Sequence, residues 1–137
     1  MRATLYSHSL VRVALTSATR TNGAVNGTTV DLGVFGNDFR SVLFVVMTGT
    51  VTDGSHAITV QDSPDGSAWA AADAASVQGS LPTITGTNDD TVFEIGYIPG
   101  VKQYVRLVAT TSGATTGGVF AAVAVLGGAS SNPVARS

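Results

Sequence analysis

The chain has 137 residues, no cysteine, 12% charged residues and a formal net charge of −2. That length suits one domain able to bury about two-thirds of its unfolded surface in a single core, and the missing cysteine excludes disulfide staples, zinc ribbons and thiol nucleophiles. So small a net charge attracts no nucleic acid by itself, and no apolar run approaches the ~20 residues of a membrane helix, so neither nucleic acid nor membrane is expected as a partner.

The chain opens with apolar residues at Leu5, Leu10, Val11, Val13 and Ala14, and the alternation is best from Val11 to Leu15. Arg2, Arg12 and Arg20 fall before the first acid, so residues 1–20 read as a basic N-terminal strand or arm; His8 and Arg12 interrupt any secretory apolar region. Turn chemistry follows at Asn22-Gly23 and Asn26-Gly27, where Asn and Gly tolerate positive φ. Val30, Leu32 and Val34 then alternate with smaller or polar residues, the pattern of a half-buried strand.

Residues 41–48 are a continuous apolar run with Phe44 in the middle, expected to be a central strand covered on both faces. Asp53-Gly54 turns the chain, and residues 57–61 return to complete a hairpin. Ser63-Pro64-Asp65-Gly66 is the strongest turn of the sequence, with Pro suited to its second position and Gly to a left-handed one. Residues 68–77 are Ala-rich but too short for a stable helix, and predict an irregular or one-turn link. Residues 91–97 form a strand with Phe93, Ile95 and Tyr97 inward; after Pro99-Gly100, residues 103–109 form another with Val105 and Leu107 inward and Arg106 outward. Residues 119–126 are the last strand, and residues 127–137 read as a flexible polar tail.

Together these predict an all-β protein: an antiparallel β-sandwich, Ig-like or jelly-roll-like, of seven to eight strands with at most one short helix, its body spanning residues 21–126. The connections are too short for helical crossovers.

No pattern predicts an enzyme. His8 and His56 are the chain's histidines, far apart and expected at the surface, and no Gly-x-Ser-x-Gly elbow accompanies them. An EF-hand reading around Gly66 fails because Gln61 and Ala72 stand where acids are required. Asp53, Asp62, Asp65, Asp89 and Asp90 are better explained as turn formers than as a calcium cluster. The Gly117-Gly118 and Gly127-Gly128 pairs lack the Lys-Ser/Thr of a phosphate loop. No catalytic residue, cofactor or metal is expected.

What remains is adhesion. Few long charged side chains means little entropy to lose when another protein docks. The candidate contacts are Arg2, Arg12 and Arg20 of the basic segment with the aromatics Trp69, Tyr97 and Tyr104. Trp69 is expected to plug its loop onto the sandwich, with an interface anchor as the alternative; Tyr97 and Tyr104 suit either core edge or contact surface.

One stretch resembles a known type. Val30-Asp31-Leu32-Gly33, then Phe44-Val45-Val46 ending at Gly49, the Asp53-Gly54 turn, and Gln61-Asp62-Ser63-Pro64-Asp65-Gly66-Ser67-Ala68-Trp69 occur in order. The last matches a Q-x-S-x-D-G-x-x-W signature, and Ile95-Gly96-Tyr97 with Lys102-Gln103-Tyr104-Val105-Arg106 closes the match. This combination resembles small virion structural proteins of tailed bacteriophages, of the capsid decoration (cement) type. The resemblance implies a protein made in the host cytoplasm that binds and stabilises the outer surface of the major capsid shell, as a homo-oligomer, with a trimer at local symmetry axes the first expectation. The alternatives are a tail or neck (head–tail connector) protein of the same particle and a host- or carbohydrate-binding module.

Overall fold

Alternating strands build two antiparallel sheets in the computed structural model, which describes residues 3–137. In chain order the elements are α1 (Leu5–His8), β1 (Leu10–Arg20), β2 (Gly23–Asn26), β3 (Val30–Asp31), β4 (Ser41–Val51), β5 (Ser55–Ser63), β6 (Ala70–Ala71), β7 (Val77–Gln78), β8 (Thr83–Ile84), β9 (Val92–Tyr97), β10 (Tyr104–Ser112) and β11 (Gly118–Gly127). Seven of these strands have four residues or more; β3, β6, β7 and β8 are two-residue bridges that no periodicity could announce. The first sheet, A, runs β1-β11-β4-β9-β7, and the second, B, runs β2-β10-β5-β6, with β3 on β10 and β8 on β5.

The period-2 pattern decides what faces inward. Phe44, Ile95, Tyr97, Phe120 and Leu126 of sheet A pack with Ile58, Val60, Val105 and Leu107 of sheet B in one buried cluster. Each such side chain contributes about 1.5–3 kcal/mol by leaving water. Val51 is paired with Gly118, and a Cβ on Gly118 would come within 2.9 Å of the Val51 side chain. Gly117 has φ +88°, and a side chain there would strike the Arg20 carbonyl. Glycine is therefore dictated twice where β11 begins.

The basic N-terminal segment is not a free arm. β1 pairs with β11 from Leu10↔Leu126 to Arg20↔Gly118, shifting register between Val13 and Leu15 and again between Leu15 and Ala18. Residues expected to begin that strand form α1 instead, because the Thr4 hydroxyl accepts the Ser7 N–H while Ser7 returns a bond to Thr4, a reciprocal cap. Residues 127–137, expected as a flexible tail, are docked. Asn37 bonds both the carbonyl and the N–H of Ala135, each at 2.8 Å, and Val134 is buried.

A second expectation needs correcting. β4 is central in its sheet, but its outer face is not covered: Met47 is 57% exposed. The apolar run predicts cover on two faces, and the chain supplies it on one.

Candidate interaction surfaces

The signature Q-x-S-x-D-G-x-x-W closes a loop against sheet B. Ser63 Oγ accepts the N–H groups of Asp65 and Gly66 and donates to Asp65 Oδ1 at 3.0 Å. Asp65 Oδ1 in turn accepts the N–H groups of Ala68 and Ser67, at 2.9 and 2.8 Å. Those two donors, with the Ser63 hydroxyl, hold the Asp65 carboxyl below its usual range. The loop delivers the half-buried Trp69 onto Arg106, whose guanidinium lies 4.2 Å from the ring centroid. Arg106 also donates two bonds to Gln61 Oε1, at 3.0 and 2.7 Å. Gln61 and Arg106 are paired across β5 and β10, so the motif's first and last residues meet through a strand the motif does not contain. Trp69 is thus held by its own chain, and a side chain at Gly66 would meet the Tyr104 ring at 3.6 Å.

Other candidate contacts fall in the interior. Tyr97 is 1% exposed and donates to Asp62 Oδ2 at 2.7 Å; burial, then the bond and charge of Asp62, push its phenol above the ordinary value. The three aromatics therefore form no common surface for a sugar. Arg20 is also buried, over the Phe120 ring and bonded to the Thr16 carbonyl, and burial lowers its pKa. Neither side chain reaches a partner. Arg12 is half-buried, its guanidinium 4.9 Å from the Phe35 ring centroid. Arg2 lies outside the described residues.

His56 is not a surface residue. It is fully buried, with Nδ1 2.7 Å from Thr111 Oγ1 and Nε2 3.0 Å from the Asp53 carbonyl, and its ring meets Phe120 edge-on. Asp53 itself accepts the N–H groups of Gly117, Thr116 and Thr115, and the first two chiefly hold its carboxyl below the usual range. Asp89 Oδ1 accepts the Val51 N–H. These acids brace turns, and among the described residues no three carboxylates or imidazoles gather as metal ligands do.

Two surfaces remain that the chain does not use itself. At the end where β1 and β4 begin, a groove is lined by Leu32, Phe39, Arg40, Ile98, Val101 and Lys102. In its lining Val101 is 93% exposed, and in α1, which leads into β1, Leu5 is 86% and Tyr6 73% exposed. Arg136 lies 3.7 Å from the Tyr6 ring centroid and donates to the carbonyls of Tyr6 and Ser9, so one cation stands fixed beside one exposed aromatic ring.

The other surface is the outer face of sheet A. Register aligns its side chains in three rows: Val11, Val125 and Leu43; Val13, Val123, Val45 and Glu94; then Ala121, Met47 and Val92. Val11, Val13, Met47 and Val92 are each at least half exposed, and Glu94 is the one charged residue in these rows. The outer face of sheet B carries Gln61, Thr59, Arg106 and Thr110, with Ala57 and the buried Val108 in the same rows.

The fold has a solved counterpart. It is similar to the crystal structure of the SPBc2 prophage-derived protein YomS, with a TM-score of 0.55 and 12% identity over 88% of this chain and 93% of that one. At that identity the likeness is one of fold. No protein-family model matches the chain, and no curated protein matches it.

Both surfaces escaped sequence reasoning in part. Val101 and Ile98 follow Tyr97 in a stretch recognisable only as a turn, and the face of sheet A was legible as apolar but not as uncovered.

Proposed function

We propose that the chain is a structural protein of a bacteriophage virion, and within the particle a capsid decoration protein bound to the outer surface of the major capsid shell. The observation that carries the reading is the complete Gln61–Ser63–Asp65–Gly66–Trp69 signature, braced by Arg106, on a sandwich shared in fold with a prophage-derived protein. Every residue of that signature braces the loop, which is the behaviour of a scaffold motif.

The groove end is the attachment surface in this reading. Exposed Val101, Leu5 and Tyr6 supply apolar anchors, and Lys102, Arg40 and Arg136 supply cations that outnumber the one acid of the groove, Asp38. Such a pole fits an acidic, partly apolar surface on the major capsid protein, and repetition of the contact over a shell converts modest affinity into lasting attachment.

The test is a cryo-electron map of purified particles with the copy number of the chain measured beside it. A decoration protein appears on the outer shell in numbers comparable to the major capsid protein. Density confined to the neck or tail, at the count of a single ring, would reassign it to the head–tail connector or tail. In the first case, Lys102→Glu combined with Val101→Asp strips the chain from shells without unfolding it.

A further inference from the structure

We propose that residues 129–137 are a strap that locks the two halves of the groove end into one surface, and that releasing the strap switches that surface off. This rests on the reading of the groove end as an attachment site for its use, while the lock itself stands on the chain's own bonds.

The two halves come from different parts of the sequence. One is α1, which carries the exposed Leu5 and Tyr6 and buries none of its own residues. The other is the groove wall formed by Leu32, Gly33, Asp38, Phe39 and Arg40. Among the described residues, α1 and its caps bond outside themselves only to the strap. Val134 donates to the Ser7 carbonyl at 2.9 Å, and Arg136 donates to those of Tyr6 and Ser9. The wall is held by the same segment. The Asn37 carbonyl accepts the Ser130 N–H at 2.8 Å and the Ser130 hydroxyl at 3.1 Å, beside the pair of bonds that the Asn37 amide makes with Ala135. No strap residue lines the groove, so the strap sets the shape of the wall and is not its occupant.

The wall needs such holding. Leu32 and Phe39 anchor its ends in the core. Between them Phe35 has φ +54° and Asp38 has φ +52°, with Asn37, 5% exposed, in the middle of the strained stretch. A side chain makes the left-handed conformation costly, and it persists only where neighbours over-determine it. Without the strap, Asn37 keeps only its bonds to Val34, and its carbonyl and Oδ1 lose their partners.

The strap is also built to let go. Val134 is its single buried residue, and the others are half-buried or exposed. Ordering so long a segment costs chain entropy, which one apolar side chain and a few exposed bonds offset with little to spare. That places it among the segments that open locally while the core stays closed.

Hydrogen exchange of the free chain, read by NMR, tests the lock. The Ser130, Val134 and Ala135 amides should exchange faster than those of β5 and β10. In a chain ending at Gly128, the Gly36 and Asn37 amides should exchange at least about tenfold faster, the factor that the strain of one left-handed residue is worth, with β5 and β10 unchanged. Where the truncated chain does not fold, Val134→Ser in the full chain unseats the strap more gently, and Ser131→Ala, at an exposed position, is its control. Unchanged exchange at Gly36 and Asn37 overturns the proposal. So does an equal rise across β5 and β10, which would make the segment an ordinary part of the core. Binding to major capsid shells stripped of this chain tests the switch. The truncated chain should bind about tenfold more weakly than the full one, because only the locked fraction is competent. Equal binding by both chains overturns the switch. Binding by neither sinks the attachment reading and the switch with it, while exchange still decides the lock.

Discussion

Tyr97→Phe isolates the bond that ties the two sheets together through polar atoms. Tyr97 belongs to β9 in sheet A, and its hydroxyl donates to Asp62 of β5 in sheet B at 2.7 Å, with Asp62 itself 7% exposed. A hydrogen bond to a charged acceptor contributes about 1.5–3 kcal/mol, and phenylalanine keeps the ring packing, so the substitution should cost about 2 kcal/mol. For a domain of this size that lowers Tm by about 7 °C. Differential scanning calorimetry and urea unfolding measure it, and a cycle with Asp62→Ala should return a coupling energy of about 2 kcal/mol. The same pair sets an alkaline limit. The folded phenol is held above its ordinary value, so its contribution is fully present below about pH 10 and drains away as pH rises beyond it, where the unfolded chain ionises first. Tyr97→Phe should flatten that alkaline branch. A loss below about 0.5 kcal/mol, with coupling near zero, would refute the reasoning.

Three further outcomes are expected. His56→Ala should cost about 3–4 kcal/mol, measured by denaturant unfolding, because it opens a cavity beside Phe120 and strands the Thr111 hydroxyl. Trp69→Ala should cost about 1–2 kcal/mol, and its cycle with Arg106→Ala should give about 1 kcal/mol of coupling from the stacked guanidinium. At the acid side, Asp53 has its folded pKa held below the ordinary value of 3.8 by the N–H groups of Gly117 and Thr116. Its contribution is therefore present above about pH 4 and lost as pH falls through the lowered value, and Asp53→Asn should flatten the acid branch of a Tm-against-pH curve.

The long strands were legible because one face of each must be buried, which writes a period of two into the sequence. β4, β9, β10 and β11 were all expected close to where they lie. α1 was missed because its cap uses Ser7 rather than a glutamate, and none of its residues is buried to mark a helical face. His56 reads from its neighbours in sequence as a turn residue; its burial depends on Thr111 and Phe120, which only the pairing of β10 with β5 and of β11 with β4 brings to it. The signature named Gln61 and Trp69, but Arg106 joins them through strand order, which local pattern does not encode. For the candidate surfaces the limit is of another kind. Hydrophobic alternation reports that a face wants cover, and is silent on whether the same molecule provides it.

The two register shifts in β1 bear on how such a chain avoids polymerising. β1 is the outermost strand of sheet A; its Ala14 carbonyl takes the Thr28 N–H, but the open groups of an edge strand invite a stranger's strand to dock and seed a fibril. A strand that slips twice against β11 cannot keep its free amides in step with a straight incoming one, because each bulge twists the ladder and changes its spacing. Removing a residue from either bulge would straighten that border, and the variant should form thioflavin-binding aggregates where the parent stays dispersed.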